Sequence, residues 1–265
     1  MLPATCDVIQ KRIKMRKPLI AGNWKMYKTS DQAVKLTAGV KAGLKGFENA
    51  DVVLCPPFTV LSTVYNIISD TDIQLGGQDL YWEKEGAFTG EISPIMLKDC
   101  GCEFVIIGHS ERRKYFSETN EIINKKVKSA LDVGLKPICC VGETLEEREA
   151  GKTIEVIKTQ LTGCLAGFGI EDVLNLIIAY EPVWAIGTGK NATAAQAEEV
   201  HKFIRTWITE NFSQGVANSL RILYGGSVKP ANIKELMNEE DVDGALVGGA
   251  SLEVSSFVDI VKNSI

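Results

Sequence analysis

Eight short apolar segments, rich in β-branched residues and bounded by Gly, Pro, Asn or Asp, recur along the chain roughly 20 to 45 residues apart. They are Leu19–Ala21, Val52–Cys55, Ile73–Leu75, Phe104–Ile107, Pro137–Val141, Leu176–Tyr180, Ile222–Tyr224 and Ala245–Val247. Most of the gaps between them carry a helical period. From Asp31 to Leu44 the apolar residues Ala33, Val34, Leu36, Val40 and Leu44 fall about 3.6 apart, with Ser30 or Asp31 as the expected cap. Glu121 to Leu131 repeats the pattern and ends at Gly134, and Thr193 to Trp207 does likewise. Buried strands alternating with helices must be parallel, because each helix returns the chain to the same edge. Eight such units predict an α/β fold, a closed (β/α)8 barrel over residues 15–265; an open doubly wound sheet is the alternative. No linker or low-complexity stretch divides the chain, and 265 residues at ~150 per domain make fewer than two domains.

With 45% hydrophobic and 24% charged residues, the chain can bury a large core without disulfides or metal. No apolar run approaches the ~18 residues of a membrane helix, so the reading is a soluble protein with no membrane partner. A net charge of −5 offers no footprint for nucleic acid, and the basic run Arg112-Arg113-Lys114 is expected on a solvated helix face. The seven cysteines are odd in number and lack C-x-x-C spacing, which suits reduced thiols in the cytoplasm. Two histidines are too few for a His-based zinc site, and Cys100-Gly101-Cys102 has no second ligand pair, so no metal or cofactor is expected. Residues 1–14 lack the apolar core of a secretory signal and are expected to form a disordered extension, a transit peptide being the alternative.

Polar chemistry collects just after the strands. Asn23 and Lys25 follow the first, His109, Ser110 and Glu111 the fourth, and Glu181 the sixth. Gly225-Gly226-Ser227 and Gly248-Gly249 follow the last two. In a parallel barrel these ends meet on one rim, where barrel enzymes place their sites. Glycine pairs let backbone N–H groups approach an anion, and a short helix near Ser251 would add its dipole, so the pairs read as a phosphate cradle; two ligand-free turns are the alternative.

Glu181 ends a buried strand, where a carboxylate is costly without a partner or a role. The segment after it, Pro182 to Lys190, has a Pro-bounded start, an apolar Trp184-Ala185-Ile186 centre and two glycines, the makings of a lid. Lid closure would desolvate Glu181 and raise its basicity, as a general base requires. His109 closes an apolar strand and is expected over the barrel mouth. His201 lies among charged helix residues and is expected on the surface.

Four stretches resemble the triosephosphate isomerase family: Ala21-Gly22-Asn23-Trp24-Lys25-Met26, Gly108 to Arg113, Ala179 to Gly189, and Tyr224 to Val228. The likeness runs from about Lys17 to the C-terminus. It implies interconversion of dihydroxyacetone phosphate and glyceraldehyde 3-phosphate without metal or cofactor. Carried onto this chain, Glu181 resembles the base, His109 the uncharged electrophile, Lys25 the positive charge, and Asn23 a hydrogen-bond donor to the oxyanion. Gly187, Ser227, Gly248 and Gly249 would hold the phosphate, with Ser110 and Glu111 in support. Asn191, at the end of the lid, and the N-terminal extension are the departures from the family pattern. A rival sugar-phosphate isomerase on this barrel would use paired acids or a Cys base, and a mere binding protein would not need Glu181, His109 and Lys25 together.

The connection 76–94 is long and carries Tyr81, Trp82 and Phe88. Such a loop packs either on its own barrel or on a partner. In the family it inserts into a second subunit, so the resemblance implies a homodimer, with Thr89 near the partner's Asn23 and Lys25.

Overall fold

The structure, a computed structural model, describes residues 16–185 and 192–265. The N-terminal extension, Gly187 and Asn191 lie outside the described residues. Eight strands appear: β1 (Leu19–Asn23), β2 (Asp51–Cys55), β3 (Ile73–Gly77), β4 (Phe104–Ile107), β5 (Lys136–Val141), β6 (Ile177–Tyr180), β7 (Arg221–Tyr224) and β8 (Gly244–Val247). Each pairs in parallel with the next, and β8 pairs back onto β1, so the sheet closes into the barrel and the open sheet is excluded. The strand ends differ from the sequence-based ones by a residue or two.

Side chains alternate across a strand, and here the alternation sorts the core into two layers. Leu19, Ala21, Val53, Cys55, Phe104, Ile106, Ile138, Cys140, Ile177 and Ala179 fill the barrel interior with Leu223 and Leu246. Their neighbours, such as Ile20, Leu54, Ile107, Val141, Ile178 and Tyr180, pack outward against the helices. Both faces are apolar because helices cover the outside, which is why the strands read as continuous apolar runs. The interior parity 19, 21, 23 and 177, 179, 181 then aims Asn23 and Glu181 into the barrel's carboxyl-end mouth.

The helices Ser30–Gly43, Asn120–Asp132 and Ala194–Asn211 occupy the predicted stretches. The first is capped by Thr29, one residue before the expected cap, and the Thr29 N–H is held by Gln32 Oε1 at 3.0 Å. Two surface expectations fail. His201 is fully buried, because it shares the inner face of its helix with Ala197, Ile204 and Ile208. Its Nδ1 lies 3.1 Å from Asp241 O, and its ring meets Tyr180 edge-on. Arg112 and Arg113 are not solvated decoration either. Arg112 Nε bonds Glu118 at 2.6 Å, and Arg113 bonds Gly108 O, Asn120 Oδ1 and Cys140 O, tying β4 to β5. Lys114 is the exposed member of the run.

The base of the 76–94 connection packs on its own barrel. Leu80 is buried, Tyr81 N–H bonds Ile92 O at 2.8 Å, and the Tyr81 ring meets those of Trp82 and Phe88 at a tilt, with centroids 4.1 and 4.7 Å away. Its tip, residues 83–91, is exposed. Of the six cysteines described, five are buried and all are unpaired. Among the described residues no helix is long and apolar enough to cross a membrane.

Below β8, buried Asp243 accepts from Arg16 Nε (2.6 Å), Arg205 Nη2 (2.6 Å) and Ile222 N (2.9 Å), joining the barrel floor to the helix Ala194–Asn211. Removing one partner of a buried ion pair strands the other charge. Asp243→Ala is expected to cost about 3–5 kcal/mol in urea unfolding. A loss below about 1 kcal/mol, the range of an exposed pair, contradicts this.

Candidate active site

Strand β4 ends in the turn Gly108-His109, and His109 itself caps the helix Ser110–Phe116. Its Nδ1 accepts the Glu111 backbone N–H at 3.2 Å. That bond places the lone pair on Nδ1 and the proton on Nε2, which meets Glu181 Oε1 at 2.9 Å. Both side chains are nearly enclosed, with His109 6% and Glu181 1% exposed. The Glu181 carboxylate also accepts the Ser110 backbone N–H at 2.9 Å and the Ser110 hydroxyl at 3.3 Å.

Lys25 arrives from the other side. Its backbone is left-handed (φ 52°), and its Nζ bonds Glu111 Oε1 at 2.6 Å. Asn23 Oδ1 accepts the Lys25 N–H at 3.0 Å. Gly248, after β8, stands against the Lys25 stem: a Cβ there would lie 3.3 Å from Lys25 Cε. Gly249 opens a short 3-10 turn through Leu252, and the helix expected near Ser251 begins at Val254. Ser227, half-buried after β7, is fixed by Asn232 Nδ2 donating to its carbonyl at 3.0 Å. The barrel therefore brings Asn23, Lys25, His109, Ser110, Glu111, Glu181, Ser227, Gly248 and Gly249 to one rim.

Two features escaped the sequence reading. The first is space around Glu181. A Cβ at Gly142 would lie 1.8 Å from Glu181 O, and one at Gly225 would lie 2.8 Å from Glu181 Cγ. Just past β5 and β7 the chain can approach the Glu181 backbone and side-chain stem this closely only as glycine. The second is Glu143, buried just past β5. Its Oε1 accepts from Tyr180 Oη (3.1 Å), Trp184 Nε1 (2.9 Å) and Arg148 Nη1 (3.0 Å), so it pins the start of the segment after Glu181. An acid at a strand end was the signal that singled out Glu181, and it applied equally to Glu143. A cavity of about 540 Å³ adjoins the carboxylate, walled by Ser110, Gly142, Leu145, Val183 and Trp184.

Burial works against charge on His109, but Glu181 against Nε2, reinforced by Glu111, outweighs it and lifts the ring above the ordinary 6.5. Burial pushes the Glu181 carboxyl up; His109, the Ser110 N–H and Lys25 together hold it below the ordinary 4.5. Cys140, inside the barrel beside Glu181, is pushed well up by burial and by that carboxylate, so it remains a thiol. Among the described residues no group of His, Cys, Asp and Glu is arranged to hold a metal ion.

The profile of the family described as Triosephosphate isomerase matches residues 18–264. The chain belongs to the triosephosphate isomerase family. It is 56% identical over 249 residues to triosephosphate isomerase of Dictyoglomus turgidum, covering 94% of this chain and 100% of that one. With the enzyme of Carboxydothermus hydrogenoformans it shares 57% over 251 residues, covering 95% and 100%. The crystal structure of triosephosphate isomerase from Bartonella henselae superposes with a TM-score of 0.85 at 42% identity, covering 93% of this chain and 98% of that one. The chain is an enzyme of this isomerase family, on its (β/α)8 TIM barrel.

Two predictions follow from the geometry. Gly142→Ala must part the ends of β5 and β6, and is expected to lower turnover on the order of 100-fold with the circular dichroism of the fold intact. Turnover within about threefold of the parent contradicts it. The raised His109 pKa stabilises the fold fully below pH 6.5, and that gain is lost as pH rises through the folded value. The lowered Glu181 pKa stabilises fully above pH 4.5, and that gain is lost as pH falls through the folded value. Stability relative to Glu181→Gln should therefore peak between pH 4.5 and 6.5 and shrink on either side. A difference in unfolding free energy that does not vary across that range and beyond it contradicts this.

Proposed function

We propose that this member of the triosephosphate isomerase family interconverts dihydroxyacetone phosphate and D-glyceraldehyde 3-phosphate through an enediolate, with Glu181 as base, His109 as electrophile and Lys25 as anchor. The observation that carries the assignment is the continuous contact Glu181–His109–Glu111–Lys25 across the mouth, with Gly248 beside the lysine. Glu181 takes the proton from the hydroxyl-bearing carbon and returns it to the neighbouring carbon. His109 gives its Nε2 proton to the enediolate oxygen and takes one from the other oxygen. Asn23 has its Oδ1 engaged by the Lys25 N–H, so its NH2 is the face offered to the developing oxyanion. Lys25 supplies positive charge to phosphate and enediolate, and Ser227, Gly248, Gly249 and Gly187 offer backbone N–H groups to the phosphate.

At rest Glu181 is a weak base, because Ser110 and His109 already satisfy its carboxylate. Turning away from Ser110 toward substrate carbon removes those donors and restores its basicity. The same move takes from His109 the carboxylate that raised its pKa, and burial with Lys25 then favours the uncharged ring. Glu143 holds Trp184 near the start of the segment 182–190 read as a lid, of which residues 186–190 lie outside the described residues; a lid there would exclude water and protect the enediolate. Phosphate binding is thereby spent on orienting the reacting carbons.

The working unit is a cytoplasmic homodimer joined through the 76–94 loop. The exposed loop tip, with Phe88 40% exposed, and Met26, 94% exposed beside Lys25, support an apolar contact at this rim. In that dimer Thr89, exposed at the tip, would brace the partner's Asn23 and Lys25.

A coupled assay with dihydroxyacetone phosphate tests the function, and three variants test the parts. Glu181→Asp withdraws the carboxylate by about 1 Å and is expected to lose on the order of 100-fold or more in turnover while still binding phosphate; near-parental turnover removes Glu181 as the base. Lys25→Ala is expected to bind phosphate-bearing ligands far more weakly, and unchanged affinity removes Lys25 from the site. Shortening the loop to give a monomer is expected to abolish most activity, and a fully active monomer rules out the coupling.

A further inference from the structure

We infer that Gln78 is a positioning residue for Lys25: its side-chain amide locks the backbone of Lys25 in the left-handed conformation from which the ammonium group reaches the substrate. The inference rests on the reading of Lys25 as the phosphate anchor. Lys25 is not glycine, and at φ 52° its Cβ crowds its own backbone, so the conformation persists only where neighbours over-determine it. Two bonds do so from opposite sides of the Cα. Asn23 Oδ1 takes the Lys25 N–H at 3.0 Å, and Gln78 Nε2 donates to the Lys25 carbonyl at 2.8 Å. Holding the N–H and the C=O of one residue fixes both of its backbone torsions.

The second proton of the same Nε2 goes to Cys55 O at 2.9 Å. Cys55 ends β2, and its carbonyl also accepts the Trp24 N–H at 3.1 Å. Gln78 stands one residue past the end of β3. One amide nitrogen thus ties the loop after β1 to the end of β2 from a foothold on β3. Both atoms facing it are carbonyl oxygens, so the nitrogen rather than the oxygen must point at them, and a carboxylate in its place would have no proton to give. The far end of Lys25 is equally constrained, with Nζ on Glu111 and the stem against Gly248. A rotation of the Lys25 peptide would carry Nζ away from both.

A staple between loops could also act on the rim as a whole, and a double-mutant cycle separates the two. The probe is inorganic phosphate, its Kd read by amide-shift titration of the full chain. Gln78→Met, of similar length and without donors, is expected to raise Kd fivefold or more. In the Lys25→Ala background the same substitution is expected to leave Kd unchanged within twofold, because the group it positions is gone. Gln78→Leu, also uncharged and without donors, should show the same pattern and stands as the test if Gln78→Met does not fold. A rise below fivefold in the parent background, or losses of equal size in both backgrounds, overturns the inference. Failure of the underlying reading has a different signature: Lys25→Ala alone then binds phosphate as tightly as the parent.

Discussion

A carboxylate enclosed by apolar strands costs several kcal/mol unless donors meet it. Glu181 sits one step beyond β6 on the interior parity, and the donors that satisfy it, Ser110 N–H and His109 Nε2, come from the end of β4. Their relative position is set by β5 between them. Arg113 clamps β4 to β5 through Gly108 O and Cys140 O, and Gly142 lets the end of β5 lie against the Glu181 backbone. The contact between Glu181 and His109 is therefore a property of barrel closure.

The same contact explains how one site holds opposite demands. A base must be unsatisfied to be strong, yet an unsatisfied buried carboxylate is unstable. In the proposed mechanism, parking the carboxylate on Ser110 and His109 resolves this: the donors stabilise the resting site and are left behind as substrate arrives. The anchor obeys the same logic. Lys25 holds an unfavourable backbone conformation because Asn23 and Gln78 grip it from both sides, and its charge is balanced by Glu111 until a phosphate competes for it. Backbone strain and a carboxylate due to exchange partners sit at the carboxyl-end rim, while the floor carries the fully partnered buried charges around Asp243.

Most of the barrel was legible in the sequence because its strands are buried on both faces, so Phe104–Ile107 or Ile177–Tyr180 stand out as unbroken apolar runs. The site residues were legible for a related reason: a polar residue ending such a run is conspicuous, and the motifs around His109 and Glu181 resemble a known family. What stayed hidden depends on partners distant in sequence. His201 reads as surface among Glu198, Glu199 and Lys202, and only helical phase against Ala197 and Ile204 turns it inward. Arg113 reads as one more charge in a basic run until β5 supplies its acceptors. Gly142 looks like an ordinary strand terminator, and its reason is the Glu181 carbonyl nearly forty residues later. Gln78 has no local signal at all, since its amide serves two carbonyls from other loops.

In the proposed mechanism Glu181 leaves its resting donors to act on carbon. A crystal structure of the enzyme with a phosphorylated two-carbon acid, a mimic of the enediolate, tests that most directly. The predicted result is a Glu181 carboxylate released from the Ser110 N–H and lying about 3–3.5 Å from the ligand carbon, with His109 Nε2 on its oxygens and Lys25 Nζ within reach of its charge. A ligand bound in the mouth while Glu181 stays on Ser110 and His109 would contradict the account.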